Sequence, residues 1–314
     1  MLQIRTILVP TDRSACAERA YAPAAALAAR YGARLRIVHV SGVALRLADD
    51  VLVTPDDVAG DLRLPLGHEL PGRASDVEEI AASHASPALD ILAHAREHDV
   101  DLIVMGTHGR LGFGHLVLGS VTEKVVRLAD RPVLTVPCHD VPEGGPVLAP
   151  VDFSDGSREA LRLAGALARE RGAAVHALHV VEWPTELPPY LLGVGLPALP
   201  DVLDRAQAEL AAFVAATVGP DVVTAVRVRL GGLAAYAVAE YAREVAAGLV
   251  VISTHGRTGL DRLLMGSVAE RVVRMASCPV LTVRPGTRGL LPAPSEAATA
   301  VGAPDETAAA EAAA

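Results

Sequence analysis

The sequence consists of two similar halves, and this internal repeat restricts the fold more than any other feature of the 314-residue chain. A Pro-x-Asp-x-Ser sequence at residues 10–14 occurs again at residues 150–154, 140 positions later. A Gly-Ser pair at residues 119–120 occurs again at residues 266–267, 147 positions later, so the second half gains seven residues between these landmarks. A period of this length predicts two copies of one domain.

Within each half, short apolar runs alternate with segments of helical periodicity, in the order β-α-β-α-β-α-β-α-β. The strands predicted in the first half are 6–9, 34–40, 77–83, 101–105 and 132–136. The helices predicted there are 15–31, 87–98 and 120–129, the first with a kink at Pro23. This alternation predicts a parallel sheet covered by helices on both faces, with its ligand crevice at the carboxyl ends of the strands.

We expect four segments along the chain. The first domain covers residues 1–138, and it includes an irregular region at 41–75 that is punctuated by Pro and Gly. A linker rich in Pro, Gly and acidic residues follows at 139–145, and the second domain covers 146–285. Residues 286–314 are rich in Ala, Pro and Glu and poor in large apolar side chains, which predicts a disordered tail.

In the second half, the region between the second and fourth strands has a clearer pattern. It predicts a helix at 201–218, a strand at 222–230 and a helix at 233–246.

A glycine motif follows the fourth strand in each half. In the first half, Gly106 and Gly109 end an apolar run, and Gly119 and Ser120 open the next helix. Glycine allows the backbone to approach a polyphosphate closely, and a helix N-terminus offers N–H groups and a partial positive charge. The corresponding residues of the second half are Ser253, Gly256, Gly266 and Ser267. A single copy is compatible with ordinary turns, but two copies at fixed spacing indicate a phosphate site in each half.

The charge composition excludes several classes of function. The net charge of −9 and the 3% aromatic content argue against nucleic acid as the main partner, because such binding requires a cationic face and stacking platforms. Lys124 is the only lysine and lies in no GxxxxGK[ST] context, so a Walker-type loop is absent from the sequence. A phosphate site here must rely on backbone N–H groups, helix N-termini, hydroxyls and arginine.

Three widely spaced cysteines, Cys16, Cys138 and Cys278, are interpreted as buried small residues in a reducing compartment, with no disulfide framework or zinc site. The N-terminus lacks an apolar signal core, and no apolar stretch approaches the ~20 residues of a membrane span. We therefore expect a cytoplasmic protein without membrane contact.

Two pairs of charged residues have two readings each. Asp12 and Asp152 are either turn and capping residues, or carboxylates that bind a nucleoside or a metal ion beside the phosphates. Arg110 and Arg257 are read as surface residues, with phosphate contact as the alternative.

Four histidines lie at strand ends or in the glycine loops: His39, His179, His108 and His255. None of these has an acid at the helical spacing of a zinc motif, so no metal site is expected from them. The sequence also lacks a nucleophile elbow or another catalytic triad pattern.

Together, these motifs resemble the universal stress protein family. The resemblance rests on the Pro-x-Asp-x-Ser opening, on the His-Val pairs at residues 39–40 and 179–180, and on the G-x2-G-x9-G-[ST] motif. It covers about residues 2–137 and 146–285, which makes the chain similar to a tandem member. The resemblance implies two tandem open five-stranded parallel sheets of order 3-2-1-4-5 with helices on both faces, an adenine nucleotide alpha hydrolase-like α/β fold. It also implies bound ATP, with Mg as a companion ion, and pairing through the fifth strands within one chain or in a homodimer.

The resemblance also implies the nucleotide-binding residues. Asp12 and Val40 would contact adenosine, and the later motif residues would contact ribose and phosphates. The set expected in the first half is Pro10, Thr11, Asp12, Val40, Met105, Gly106, His108, Gly109, Arg110, Gly119, Ser120 and Val121. The set expected in the second half is Pro150, Val151, Asp152, Val180, Ile252, Ser253, His255, Gly256, Arg257, Gly266, Ser267 and Val268. Ser253 departs from the motif, since it replaces the first glycine.

The resulting hypothesis is an ATP-binding regulator of the stress response, which couples nucleotide to a conformation that protein partners recognise. Two alternatives remain open at this stage. One is an enzyme with slow ATP hydrolysis or adenylyl transfer, although no nucleophile and no catalytic base is evident in the sequence. The other is a scaffold that binds no nucleotide, with glycine loops that are only structural.

Overall fold

The computed structural model describes residues 2–41, 76–81, 86–108, 118–141, 144–182, 199–256 and 265–291. The region predicted to be irregular, 41–75, lies outside these residues except for its first position. The first half contains β1 (Thr6–Thr11), α1 (Ala15–Glu18), α2 (Tyr21–Tyr31), β2 (Arg34–Ser41), β3 (Asp76–Ala81), α3 (Pro87–Glu97), β4 (Leu102–Gly106), α4 (Ser120–Leu128) and β5 (Val133–Val136). The second half contains β6 (Val147–Pro150), α5 (Asp155–Arg171), β7 (Val175–Glu182), α6 (Leu199–Ala215), β8 (Thr224–Gly231), α7 (Ala234–Glu244), β9 (Leu249–Ser253), α8 (Ser267–Met275) and β10 (Val280–Val283).

The strands form one sheet of ten, in the order β3-β2-β1-β4-β5-β10-β9-β6-β7-β8. Within each half the strands are parallel and follow the expected order 3-2-1-4-5. The fifth strands β5 and β10 pair with each other, as expected, and the pairing is antiparallel. The two predicted sheets are therefore joined into a single continuous sheet. This pairing covers the edge that each half-sheet would otherwise expose.

The junction between the halves is nearly symmetric. The hydroxyl of Thr135 donates to the carbonyl of Val280 (3.1 Å), and the hydroxyl of Thr282 donates to the carbonyl of Val133 (3.2 Å). Both threonine side chains are buried. Each hydroxyl therefore satisfies its hydrogen-bonding requirement across the junction rather than in water.

Helices cover both faces of the sheet, and the strands are accordingly buried on both sides. One apolar core contains Ile7, Val9 and Ile37 together with residues of α2, α5 and α6. The other core contains Leu8 and Ile103 together with residues of α3, α4, α7 and α8. Successive residues of a strand face opposite cores, which explains the near-continuous apolar runs in the sequence.

The first helix differs from the prediction of one kinked helix over 15–31. It is divided into α1 and α2, with Arg19 and Ala20 between them. Pro23 occupies the first turn of α2, where an N–H group has no intrahelical acceptor and proline is tolerated. The counterpart in the second half, α5, continues for 17 residues from its N-cap Ser154 to a left-handed Gly172. The proline thus begins a new helix instead of bending an existing one.

The C-terminal boundary also differs from the prediction. Residues 286–291 were assigned to the disordered tail, but Leu290 is buried and its carbonyl accepts a hydrogen bond from the N–H of Gln3 (2.8 Å). Arg288 forms an ion pair with the buried carboxylate of Asp101 (2.7 Å). Leu290 supplies the apolar contact that the composition of this segment as a whole obscures.

The two halves also contact each other away from the sheet. Glu170, near the end of α5, accepts hydrogen bonds from the N–H of Leu2 (3.0 Å) and from the hydroxyl of Tyr31. Burial and the neighbouring Glu170 carboxylate raise the pKa of Tyr31, so the phenol stays protonated and donates. None of the helices in the described part of the chain is long and apolar enough to span a membrane.

Candidate functional site

A large cavity lies at the carboxyl edge of the second half-sheet. Its volume is about 540 Å³. It opens beside the ends of β6 and β9, the neighbouring strands at which the strand order reverses. This is the position at which open α/β sheets bind ligands, and the volume falls within the usual range of small-molecule sites, about 300–1,000 Å³.

Eleven of the twelve residues predicted for the second site line this cavity. They are Pro150, Val151, Asp152, Val180, Ile252, Ser253, His255, Gly256, Gly266, Ser267 and Val268. The twelfth, Arg257, lies outside the described residues. The structure therefore brings together positions that are more than 100 residues apart in the sequence.

The cavity has other lining residues that sequence reasoning missed. They are Ser157, Leu178, His179, Val181, Glu182, Ala234, Val238, Thr254 and Ala269. Several of these form an apolar wall from the end of β7 and the start of α7. Apolar residues in such positions look like ordinary core residues in the sequence, and only the packing of β7 and α7 in the structure identifies them.

The glycine loop approaches the aspartate turn closely. A Cβ atom placed on Gly256 would lie 2.5 Å from Oδ2 of Asp152, a distance that real Cβ atoms do not adopt. The N–H of Gly266 donates to the carbonyl of Thr254 (2.7 Å), which anchors the loop at the entry to α8. A side chain at 256 would therefore displace the Asp152 carboxylate, whereas glycine leaves the loop backbone accessible at the cavity.

The start of α8 faces the cavity. Gly266 is the N-cap, and the first helical hydrogen bond runs from the N–H of Glu270 to its carbonyl. An α-helix leaves its first N–H groups, here those of residues 267–269, without intrahelical acceptors. These groups and the helix dipole create a local preference for an anion.

The two aspartates form the same turn in both halves. The carboxylate of Asp152 accepts from the N–H of Ser154 (3.1 Å), and that of Asp12 accepts from the N–H of Ser14 (3.0 Å). The residue between them is left-handed in each case, with φ of 63° at Arg13 and 65° in the second half. The two aspartates therefore act as turn residues, as one of the two interpretations predicted. This turn directs Oδ2 of Asp152 towards the glycine loop.

The strand-end histidines have structural partners. Nδ1 of His39 lies 2.8 Å from the carbonyl oxygen of Thr11, and Nδ1 of His179 lies 2.7 Å from that of Val151. Each histidine thus ties the second strand of its half to the first strand, which fixes the mouth of the crevice.

The loop histidines also match between the halves. Nδ1 of His108 lies 2.9 Å from the hydroxyl of Thr107, and Nδ1 of His255 lies 2.9 Å from that of Thr254. Burial lowers the pKa of His255, and the charge of Arg284 lowers it further. At neutral pH, His255 therefore contributes a neutral ring to the cavity rather than a positive charge.

Ser253, the departure from the glycine motif, interacts with its own loop. Its hydroxyl donates to the carbonyl of His255 (2.8 Å) and accepts from the N–H of the same residue (3.2 Å). At the corresponding Gly106, a Cβ atom would lie 2.6 Å from the backbone oxygen of Cys16. The first half thus requires glycine where the second half uses a serine that closes the turn.

The described residues of the first site occupy corresponding positions. Gly119 is the N-cap of α4, and its N–H donates to the carbonyl of Thr107 (2.9 Å). Pro10, Thr11 and Asp12 lie at the end of β1, Val40 near the end of β2, Met105 and Gly106 at the end of β4, His108 in the loop, and Ser120 and Val121 in the first turn of α4. Gly109 and Arg110 lie outside the described residues.

The first half contains a disulfide, which contradicts the expectation of three unpaired cysteines. Cys16, in α1, is bonded to Cys138, which follows β5, across 122 residues of sequence. Nδ1 of His108 lies 3.3 Å from Sγ of Cys138. Only Cys278 is free in the described chain; it is buried, and burial raises its pKa to about 12. The parallel sheet brings the two half-cystines together at its carboxyl edge, which their separation in sequence conceals.

The fold and the crevice define a class: tandem doubly wound α/β domains, each with a glycine-capped helix at the switch point of its sheet. The model of the universal stress protein family matches residues 3–137 and 145–284. The chain belongs to this family, in which it is a tandem member with two family domains.

Individual relatives agree with this assignment. The chain is 37% identical over 144 residues to a universal stress protein of Methanocaldococcus jannaschii, which covers 44% of this chain and 81% of that protein. It is 34% identical over 189 residues to one of Mycolicibacterium smegmatis, over 59% of this chain and 62% of that protein, less than two thirds of its length. A match to a universal stress protein of Synechocystis extends over 90% of this chain and all of that protein, at 25% identity.

Among solved structures, a universal stress protein of Archaeoglobus fulgidus has a TM-score of 0.64 at 20% sequence identity, covering 90% of this chain and 100% of that one. A putative universal stress protein of Pseudomonas aeruginosa has a TM-score of 0.61 at 21% identity, covering 90% and 93%. At these identities the likeness establishes the shared tandem fold.

Proposed function

We propose that each half binds an adenine nucleotide, ATP with Mg, and that the chain acts as a nucleotide-dependent regulator in the stress response. The observation that carries this proposal is the cavity at the carboxyl edge of the second half, which combines an apolar wall with a glycine-capped helix N-terminus. A base requires the first feature and a polyphosphate requires the second. The first half repeats the same turn, strand ends and helix cap.

The distribution of polar groups in the cavity supports an orientation for the ligand. Asp152 and Glu182 bring negative charge to the end near β6 and β7, where a phosphate would be repelled. Gly266 and Ser267 bring N–H groups to the cavity at the start of α8. In the proposed complex, Asp152 accepts a hydrogen bond from the nucleoside and the start of α8 holds the phosphates. Mg would be held mainly by the phosphate oxygens, because Mg²⁺ retains most of its water in such sites.

The direct test is calorimetric titration of the full chain with ATP–Mg. Two sites per chain are expected, with different affinities because Ser253 replaces a glycine. Gly256→Ala places a Cβ against Asp152 and should weaken one of the two sites by at least about 10-fold, the equivalent of 1.4 kcal/mol. Gly109→Ala should weaken the other site.

Gly289→Ala is the matched control, since its Cβ would meet only an ordinary contact with Glu159 at 3.4 Å and the residue does not line the cavity. Absence of binding heat at millimolar ATP would refute the proposal. Binding that survives both Gly109→Ala and Gly256→Ala would refute the assignment of residues. The scaffold and slow-ATPase alternatives are separated by the same titration and by phosphate release.

A further inference from the structure

A cluster of metal-binding side chains lies outside the nucleotide cavity, at the outer edge of the first half. Glu78 belongs to the edge strand β3, His94 lies in α3, and His98 is the C-cap residue of that helix. One potential ligand atom from each of the three lies within 4.8 Å of the other two. None of the three lines the cavity described above.

His94 is the centre of this cluster. Its side chain is 93% buried, with a relative exposure of 7%. Its Nε2 atom makes no hydrogen bond in the described structure, yet lies 3.3 Å from Oε2 of Glu78. Two ligands at about 2.0 Å from a tetrahedral zinc ion are themselves about 3.3 Å apart. The pair is therefore spaced as two ligands of one ion, and the buried nitrogen otherwise lacks a partner that would repay its desolvation.

His98, the C-cap residue of α3, completes the set. It follows His94 by four residues, which places both rings on one face of α3, and their centroids are 4.1 Å apart. His98 is partly exposed, so an ion can enter from solvent and keep a water molecule. Sequence reasoning missed this pair, although the i, i+4 spacing was visible, because the acid comes from a different element.

Glu78 is held in place by a third residue. The buried guanidinium of Arg36 pairs with Oε1 of Glu78, which directs Oε2 towards His94. Ligating carboxylates are commonly oriented by such outer hydrogen bonds. The corresponding positions of α7 in the second half, Tyr241 and Val245, cannot form an equivalent cluster.

We propose that Glu78, His94 and His98 form a binding site for one divalent transition-metal ion of the zinc class, with water at the fourth position. Two imidazoles and one carboxylate are a common set for zinc with an open position. The set contains no thiolate, and it has too few oxygens for calcium or magnesium. The bound ion would fasten the edge strand β3 to α3.

The test is equilibrium dialysis of the full chain against buffered ZnCl₂ at pH 7.5, followed by metal analysis. One zinc per chain is expected, together with a rise in the melting temperature. His98→Asn and Glu78→Gln should each weaken binding by at least about 100-fold, because loss of an outer-shell partner alone costs 10–100-fold. His98 is partly exposed and the glutamine is isosteric, so both variants are expected to fold, which the melting temperature without zinc will show.

Two controls separate this cluster from other sites. His139→Asn removes an exposed histidine elsewhere and should change nothing. Cys138→Ser tests the second group, formed by Cys16, His108 and Cys138, whose two cysteines can supply thiolates only if their disulfide is reduced. With Co²⁺ as the probe, nitrogen and oxygen ligands give visible bands without a thiolate-to-metal charge-transfer band. Absence of saturable zinc binding overturns the proposal, as does binding that is lost in Cys138→Ser but retained in His98→Asn.

Discussion

In the first half, Gly106 ends β4 against the backbone of α1, whereas in the second half Ser253 ends β9 at the corresponding position. The helix residue that faces this position changes in the opposite direction, from a larger residue to glycine: Cys16 in the first half corresponds to Gly156 in the second. A Cβ atom on Gly156 would overlap the hydroxyl of Ser253. In the first half the helix carries the side chain and the strand end is glycine, whereas in the second half the helix has glycine and the strand end carries the side chain. The contact between helix and strand end is therefore filled in both halves.

A third position completes this comparison. Cys138, which follows β5, corresponds to Pro285, which follows β10. In the first half Cys138 is bonded to Cys16, while in the second half the ring of Pro285 occupies space that a side chain at Gly156 would need. The same contact between helix and strand ends can therefore be made by a disulfide or by packing alone. Converting one arrangement into the other requires changes at three positions, those of residues 16, 106 and 138 in the first half.

The largest effect on stability is expected from loss of the disulfide between Cys16 and Cys138. Cys138→Ser opens a loop of 122 residues and should lower the free energy of unfolding by about 2–5 kcal/mol. Urea denaturation with and without a reductant measures it: the reductant should shift the unfolding of the native chain and leave that of the variant unchanged. Cys278→Ser, which alters a free cysteine, should keep the sensitivity to reductant. A native chain that ignores the reductant would show that the bond does not stabilise the first half.

The second-largest effect concerns the difference in side-chain size between Gly106 and Ser253. Gly106→Ser forces a side chain against the backbone oxygen of Cys16 and should cost about 1–3 kcal/mol of stability, as overpacking usually does. Chemical denaturation of the full chain provides the measurement. Gly232→Ser is the control, because a Cβ there meets nothing within 4 Å. The reverse change, Ser253→Gly, creates no overlap; it loses a small side chain with its turn hydrogen bonds and should cost about 1 kcal/mol. Equal costs for the two changes would contradict the comparison.

The sequence was sufficient for the repeated architecture but insufficient for these compensations. The apolar runs and the period predicted two parallel half-sheets, because strand alternation and helix starts are local signals. The strand order and the eleven cavity residues of the second half were instead implied by the resemblance to the family. The disulfide was missed because nothing local relates Cys16 to Cys138. The doubt that Ser253 raised could be resolved only by its neighbour Gly156, which lies 97 residues earlier. Compensation across space leaves no trace in a local pattern.

A smaller effect on stability tests a feature that the two halves share, the threonine hydrogen bonds between β5 and β10. Thr135→Val and Thr282→Val each remove one buried hydrogen bond from the junction of the fifth strands. Each should lower the free energy of unfolding by about 1 kcal/mol, and the two values should be similar because the contacts are nearly symmetric. Denaturation of each variant at equal concentration gives the comparison. Values that differ by several kcal/mol would show that the two sides of the junction are not equivalent.

The smallest effect distinguishes the halves by their response to acid. On the second strand of each half, Arg36 corresponds to His176, whose Nδ1 lies 2.9 Å from the hydroxyl of Tyr241. Burial lowers the pKa of His176, and the charge of Arg227 lowers it further. The unfolded chain therefore binds a proton below about pH 6.5 that the folded chain resists. Stability should fall as the pH drops from about 6.5 towards the folded pKa, and it should be unaffected by His176 above that range.

His176→Gln should flatten part of this pH dependence, since glutamine can bond to Tyr241 but does not titrate. The measurement is the free energy of unfolding of both proteins between pH 5 and pH 8. Part of the slope should remain, because His94 and His255 also have lowered pKa values. The first half has an arginine at this position, so it has no histidine that corresponds to His176. An unchanged slope in His176→Gln would place the acid response elsewhere and remove this difference between the halves.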